Sequence, residues 1–221
     1  NDYKQCFKLE LPDNIKNILN EQDIINNLEM NAGFDVNITK VRNKLNSNEE
    51  KYLPMRLAEA VELIKKDNSY IIQNNSEFLK ETGNEKLIKD CDMYLRPYMC
   101  ISKKYDNTIM GSNCITDLKY NKNKRTYLYI SSGQTDIILI PPKYSKYLDE
   151  INDIENNENL SILNPFDKDN MDNEERKRFD KIKSLKISLN QGECLSIPSY
   201  WWFIIRSVMI TDMKEFNYDV V

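Results

Sequence analysis

The chain has 221 residues, 40% of them hydrophobic and 10% aromatic, enough to bury a core as one large domain or two small ones. A formal charge of −4 with 30% charged residues describes an acidic surface and argues against nucleic-acid binding, which shows as a clustered basic face. There is no secretory h-region and no apolar run near the ~20 residues of a membrane helix, and five scattered cysteines lack any Cys-x-x-Cys pair, so a cytoplasmic protein with reduced thiols is expected.

Residues 1–54 read as an amino-terminal arm with short helices, and residues 55–221 as the main domain. In the arm, Pro12-Asp13 starts a helix over residues 14–20 with Ile15, Ile18 and Leu19 on one side. A second helix is expected over residues 23–30, and the alternation of residues 34–39 predicts a strand. Pro54 suits the first turn of a helix over residues 55–66, which puts Leu57, Ala60, Val61 and Ile64 on one face. A strand over residues 69–72 and helices over 76–81 and 84–90 follow, the last two separated by Gly83.

Residues 94–110 read as a connection broken at Pro97, with a strand over 111–118. The run Lys119-Tyr-Asn-Lys-Asn-Lys-Arg125 reads as a solvated loop. Residues 125–130 and 135–140 are two β-rich runs around Ser131-Ser-Gly133, the pattern of a hairpin, ended by Pro141-Pro142. Residues 143–183 are charged and Asn-rich and read as a surface insertion, with an apolar island at 161–166. Asp172 is placed to cap a helix over 173–182. Strands are expected over 185–189 and 194–197, then a break at Pro198-Ser199 and an apolar run over 200–205. Residues 208–210 and 216–218 read as closing strands.

The string Gly192-Glu-Cys-Leu-Ser-Ile-Pro-Ser-Tyr-Trp-Trp-Phe203 resembles the last metal-binding corner of the JmjC-like cupins, the Fe(II)/2-oxoglutarate oxygenases. Their pattern runs Gly-Asp-hydrophobic-hydrophobic-Ile-Pro-x-x-Trp-Trp-His. Here Gly192, Ile197, Pro198, Trp201 and Trp202 match. A second resemblance is the order of Gly111, Gly133, the apolar run 137–140 and Pro141-Pro142. The segment 55–90 is similar to the block that precedes the barrel in that family, and Asn217-Tyr218 to its terminal element. The resemblance implies a mainly β protein with α-helices (α+β): a double-stranded β-helix, or cupin jelly roll, with an amino-terminal helical segment and a helical insertion. It also implies recognition of extended polypeptide at the barrel mouth and dimerisation through the closing strands.

The resemblance locates the chemistry, and the residues there are the wrong ones. The family holds iron with a His-x-Asp pair and a distal histidine, because imidazole is a neutral nitrogen donor of intermediate softness. This chain has no histidine. The distal position is Phe203. Counting forward from Gly111 puts the His-x-Asp pair on Asp117 and Lys119; counting back from Gly133 puts it on Tyr120 and Lys122. The lysine that would pair with 2-oxoglutarate is Thr135. With Phe203 turned inward, strand alternation turns Trp201 and Ile205 inward too, so an apolar plug is expected at the barrel centre. Cys114 and Cys194 flank the two motifs and are within reach of each other on this reading, as small buried thiols. Tyr127, Tyr129 and Tyr200 are expected on barrel faces and rim.

The first reading of function is therefore a catalytically inactive JmjC-like cupin, with no catalytic residue, cofactor or metal. It would bind a protein partner or a copy of itself, away from any membrane or nucleic acid. Abundant Asn, Lys, Ile and Asp with scarce Gly and Pro suit an AT-rich genome such as that of a large DNA virus. The alternative is an Fe(II)/2-oxoglutarate protein hydroxylase with non-standard ligands, Asp117 plus backbone or water. A third, weaker reading uses the Lys119–Arg125 loop to bind nucleic acid.

Overall fold

A computed structural model describes residues 5–41, 52–73, 75–153 and 158–220. Parts of the expected amino-terminal arm (1–4 and 42–51) and of the insertion (154–157) lie outside them. In chain order the elements are β1 (Phe7–Leu9), α1 (Asp13–Glu21), α2 (Leu28–Asn31), β2 (Asp35–Lys40), β3 (Leu53–Arg56), α3 (Leu57–Lys66), β4 (Tyr70–Ile72), α4 (Ser76–Glu81), α5 (Asn84–Leu95) and β5 (Cys100–Met110). They continue with β6 (Leu118–Tyr120), β7 (Arg125–Ser132), β8 (Gln134–Ile140), β9 (Glu150–Asp153), β10 (Glu158–Ser161), α6 (Asn173–Phe179), β11 (Leu185–Asn190), β12 (Cys194–Pro198), β13 (Trp202–Ser207) and β14 (Thr211–Val220).

The strands form two antiparallel sheets. The larger has eight strands in the order β1-β12-β7-β14-β5-β4-β2-β3, and the smaller has six in the order β11-β8-β13-β6-β10-β9. Alternation along each strand sends one set of side chains between the sheets. Leu128, Ile130, Leu195, Ile197 and Met213 from the larger sheet meet Ile137, Leu139, Leu189, Phe203 and Ile205 from the smaller, in one buried cluster.

The outer faces are covered too. On the larger sheet, Ile15 and Leu19 of α1 and Cys91 and Leu95 of α5 pack on Tyr127, Tyr129, Cys194, Phe216 and Tyr218. The Tyr129 hydroxyl donates to Asn20 Oδ1 at 2.8 Å and the Tyr218 hydroxyl to Asp92 Oδ1 at 2.7 Å, which pins both helices. The predicted apolar face of α3 packs on β2 and β4. On the smaller sheet, Leu148, Leu163, Phe179 and Ile182 of the insertion cover Trp202, Ile204, Ile138 and Ile140. Asp172 caps α6 by accepting from the Glu174 and Glu175 amides, and Glu175 completes a capping box.

A buried ion pair ties the amino-terminal arm to the barrel. Lys214 Nζ lies 3.6 Å from Asp212 Oδ1 and donates to the Gln22 carbonyl and to Asn107 Oδ1; Asp212 Oδ2 accepts from the Ile24 amide at 2.7 Å.

Several expectations change. Residues 94–110 are not a connection: α5 runs to Leu95 and β5 is an 11-residue strand paired with β14. Residues 111–117 precede a strand of only three residues, β6. The runs around Gly133 are not a hairpin, because β7 pairs with β12 and β14 while β8 pairs with β11 and β13. Gly133, with φ of 90°, turns the chain from one sheet to the other. Pro54 sits in β3 at a sheet edge, where its missing N–H is tolerated, so α3 starts at Leu57. Residues 23–30 hold only the short α2, and 208–210 are a turn rather than a strand.

Candidate functional site

The corner that carries the family resemblance is built by a break and a bulky strand. Pro198 ends β12, Tyr200 adopts a left-handed φ of 63°, and its amide donates to the Asn121 carbonyl at 2.9 Å. β13 then alternates. Trp202 and Ile204 point outward into the insertion, with Trp202 Nε1 donating to Ser145 Oγ at 2.8 Å. Trp201, Phe203 and Ile205 share the interior cluster, as alternation predicts.

β6 lies beside this strand, with Lys119 opposite Phe203 and Tyr120 opposite Trp202. Leu118 and Tyr120 pack outward, the Tyr120 ring 4.7 Å from that of Trp202. Lys119 therefore faces inward. Asp117, Lys119 and Glu215 line a small cavity of about 30 Å3 with Thr108, Thr116 and Gln73, room for about one water. Of the two possible alignments, the forward count to Asp117 and Lys119 is the one whose residues meet there; Tyr120 faces away and Lys122 is exposed.

The centre is not the uniform apolar plug that alternation suggested. Toward this end of the barrel it carries a polar network. Lys119 Nζ stands 3.7 Å from Glu215 Oε2 and 5.6 Å from the centre of the Phe203 ring. Glu215 Oε1 accepts from Asn217 Nδ2 at 2.8 Å and from Asn121 Nδ2 at 3.3 Å. Asn217 Oδ1 accepts from Thr126 Oγ1 at 2.6 Å. Burial by itself pushes the Glu215 carboxyl up, but the Lys119 ammonium and the Asn217 amide outweigh it, and the net shift is downward. Glu215 is thus held as a carboxylate inside the barrel.

Thr135 lies deeper. It is buried, pairs across to Leu189 and Ser207, and its Oγ1 has no hydrogen-bond partner. Phe203 pairs with Leu139, four residues further along β8, so Thr135 and Phe203 are separated by about 13 Å of strand.

An iron triad does not fit these side chains. The three positions present one carboxylate, one ammonium and one phenyl ring, where Fe(II) wants two imidazoles and a carboxylate. Glu215, the nearby acid, is engaged by Lys119, Asn121 and Asn217. Among the described residues, no group of three or more His, Cys, Asp or Glu could hold a metal ion. Thr135 offers only a hydroxyl at the position where the resemblance expects the 2-oxoglutarate lysine.

Other candidates resolve differently. Cys114 belongs to the interior cluster and Cys194 to the one under α1 and α5, so they lie on opposite faces of the larger sheet. The reason is the alternation of β12, where Leu195 and Ile197 take the inner face. Both thiols are buried and unpaired, and burial pushes Cys114 up to about 12. The run 119–125 is not a basic loop: Lys119 and Asn121 join the interior network and Arg125 is buried. Tyr127 and Tyr129 are covered by the helices, and Tyr200 is half-exposed on the rim. Glu215, Asn217, Asn121 and Thr126 were missed by sequence reasoning; only the alternation of Glu215 and Asn217 with Phe216 and Tyr218 hints that those two face inward.

Two curved antiparallel sheets closed around such a centre define a cupin-type jelly roll. The Cupin-like domain family model matches residues 8–220, and the chain belongs to that family. No curated protein matches it.

Proposed function

We propose that this chain is a catalytically inactive JmjC-like cupin that works as a protein-binding module. The observation that supports the reading is the Lys119–Glu215 pair beside Phe203: a cation and an aromatic ring meet at positions that the resemblance aligns with the family's iron ligands. A divalent ion brought there meets an ammonium and finds its nearest acid already bonded. Incubation with Fe(II), 2-oxoglutarate and oxygen should release no succinate above a protein-free control. Stoichiometric succinate would instead support the hydroxylase reading with Asp117 as a ligand.

Binding rests on a different surface. Met93, Tyr94, Tyr98, Met99 and Ile101 are exposed large apolar side chains between the end of α5 and the start of β5, and Val220 is exposed at the adjoining end of β14. Tyr98 is 93% exposed and Met99 72%, and Met99 has a left-handed φ of 58°, an uncommon backbone state for that residue. Tyrosine and methionine are the types that interfaces enrich. The partner assigned to this patch is a second copy, since it includes the closing strand that relatives use to dimerise. Light scattering should give a dimer for the wild type and a monomer for Tyr98→Ser/Met99→Ser; a monomeric wild type at high concentration overturns self-association. The reduced cysteines and AT-rich composition fit an intracellular, viral setting. Among the described residues no helix is long and apolar enough to cross a membrane.

A further inference from the structure

A second cavity, of about 750 Å3, opens between the ends of β7, β8, β11 and β12 and the segment leading into β1. It shares no lining residue with the small polar cavity at Asp117 and Lys119, so it is a separate site. Its walls include Trp201, Leu185 and Pro142, and Lys124, Arg125 and Lys143 also line it. None of the described lining residues is an acid.

That combination is selective. The size falls in the range of small-molecule sites, which are mostly apolar with a few placed polar groups. The walls are stiff: two prolines end β8 at Pro141-Pro142, a third ends β12, and the Trp201 ring is held by the interior cluster. Three cations line the cavity, opposite in sign to the chain's formal charge of −4. An apolar wall with cations among its lining residues favours a ligand with an apolar body and an anionic head.

The geometry points to this cavity as a binding site for a small amphiphilic organic anion, an aromatic or aliphatic body with one carboxylate or phosphate head. The body lies against Trp201 and Leu185, and the head faces Lys124, Arg125 and Lys143. This does not depend on whether the barrel is catalytic.

Anilinonaphthalene sulfonate is a suitable probe, since it joins an apolar body to one anion and reports burial by fluorescence. The expected result is one saturable site per folded chain, with affinity that falls as salt is raised. Lys124→Glu/Lys143→Glu changes two side chains that are not buried and should weaken binding by about tenfold or more while leaving the circular dichroism unchanged. Neutral N-phenylnaphthylamine should bind more weakly than the sulfonate. Displacement by decanoate or by decyl phosphate then distinguishes a carboxylate head from a phosphate. The proposal is overturned by salt-independent binding, by equal affinity in the charge-reversed variant, or by a neutral probe that matches the anion.

Discussion

Lys119 is an ammonium inside a barrel, and such a group persists only where a carboxylate and hydrogen bonds meet it. Glu215 does so, and its other oxygen is satisfied by two amides. Removing one partner leaves the other charge stranded. Lys119→Met should cost about 3 kcal/mol in urea unfolding at pH 7, whereas Lys119→Met/Glu215→Met should recover most of that loss. A double variant as unstable as the single one would mean that the pair is not the source of the cost.

A second acid gives a pH prediction. Asp136 accepts from Ser188 Oγ at 2.6 Å and Arg206 Nη2 at 2.7 Å, with Lys186 Nζ at 3.2 Å. Burial pushes its pKa up, but the Ser188, Arg206 and Lys186 contacts overcome this and hold it at about 2. A carboxyl depressed on folding stabilises above its unfolded value and loses that contribution as pH falls through the folded one. Solvent screening of Lys186 and Arg206 reduces the effect, so Asp136→Asn should cost about 1 kcal/mol at pH 7, and the gap to wild type should close between pH 4 and pH 2. A gap that stays constant across that window contradicts the assignment.

At the scale of elements, one close backbone approach and one helix cap contribute to stability. Gly111 follows β5 where the chain passes under α3, and a Cβ there would sit 2.0 Å from the Ile64 carbonyl oxygen. Gly111→Ala should destabilise by about 2 kcal/mol or more in denaturant, because backbone atoms cannot step aside as a side chain can. Gly33→Ala, which meets nothing within 4 Å, is the control and should be near neutral. At α6, Asp172→Ala removes both capping contacts and should cost about 1 kcal/mol.

The elements that sequence reading found are those whose burial leaves a local pattern. The helices α1, α3 and α6 show their apolar face or cap in the residue order, and the apolar runs of β8, β12 and β13 mark strands buried on both faces. β5 was read as a connection because its inner face is polar near the barrel mouth. Asp106 and Thr108 stand there, with Cys100, Tyr105 and Ile109 on the outer side, so apolar alternation is broken. The hairpin around Gly133 failed for another reason. Two strands joined by a glycine turn look alike whether they pair or separate into facing sheets; the difference lies in long-range partners that local pattern does not encode.

For the whole molecule, sequence patterns were enough to name the fold family, from a corner of Gly, Ile-Pro and paired tryptophans and a second motif in the right order, and the family match spans residues 8–220. They did not reveal the Glu215 network, since it comes from β14, some 96 residues beyond Lys119, and only folding brings them together. We propose that the protein's own ion pair occupies the place of the metal. The most direct test is anaerobic equilibration of folded protein with Fe(II), followed by metal analysis with and without 2-oxoglutarate. No stoichiometric iron is expected in either case; one iron per chain, retained more tightly when 2-oxoglutarate is present, would overturn the proposal.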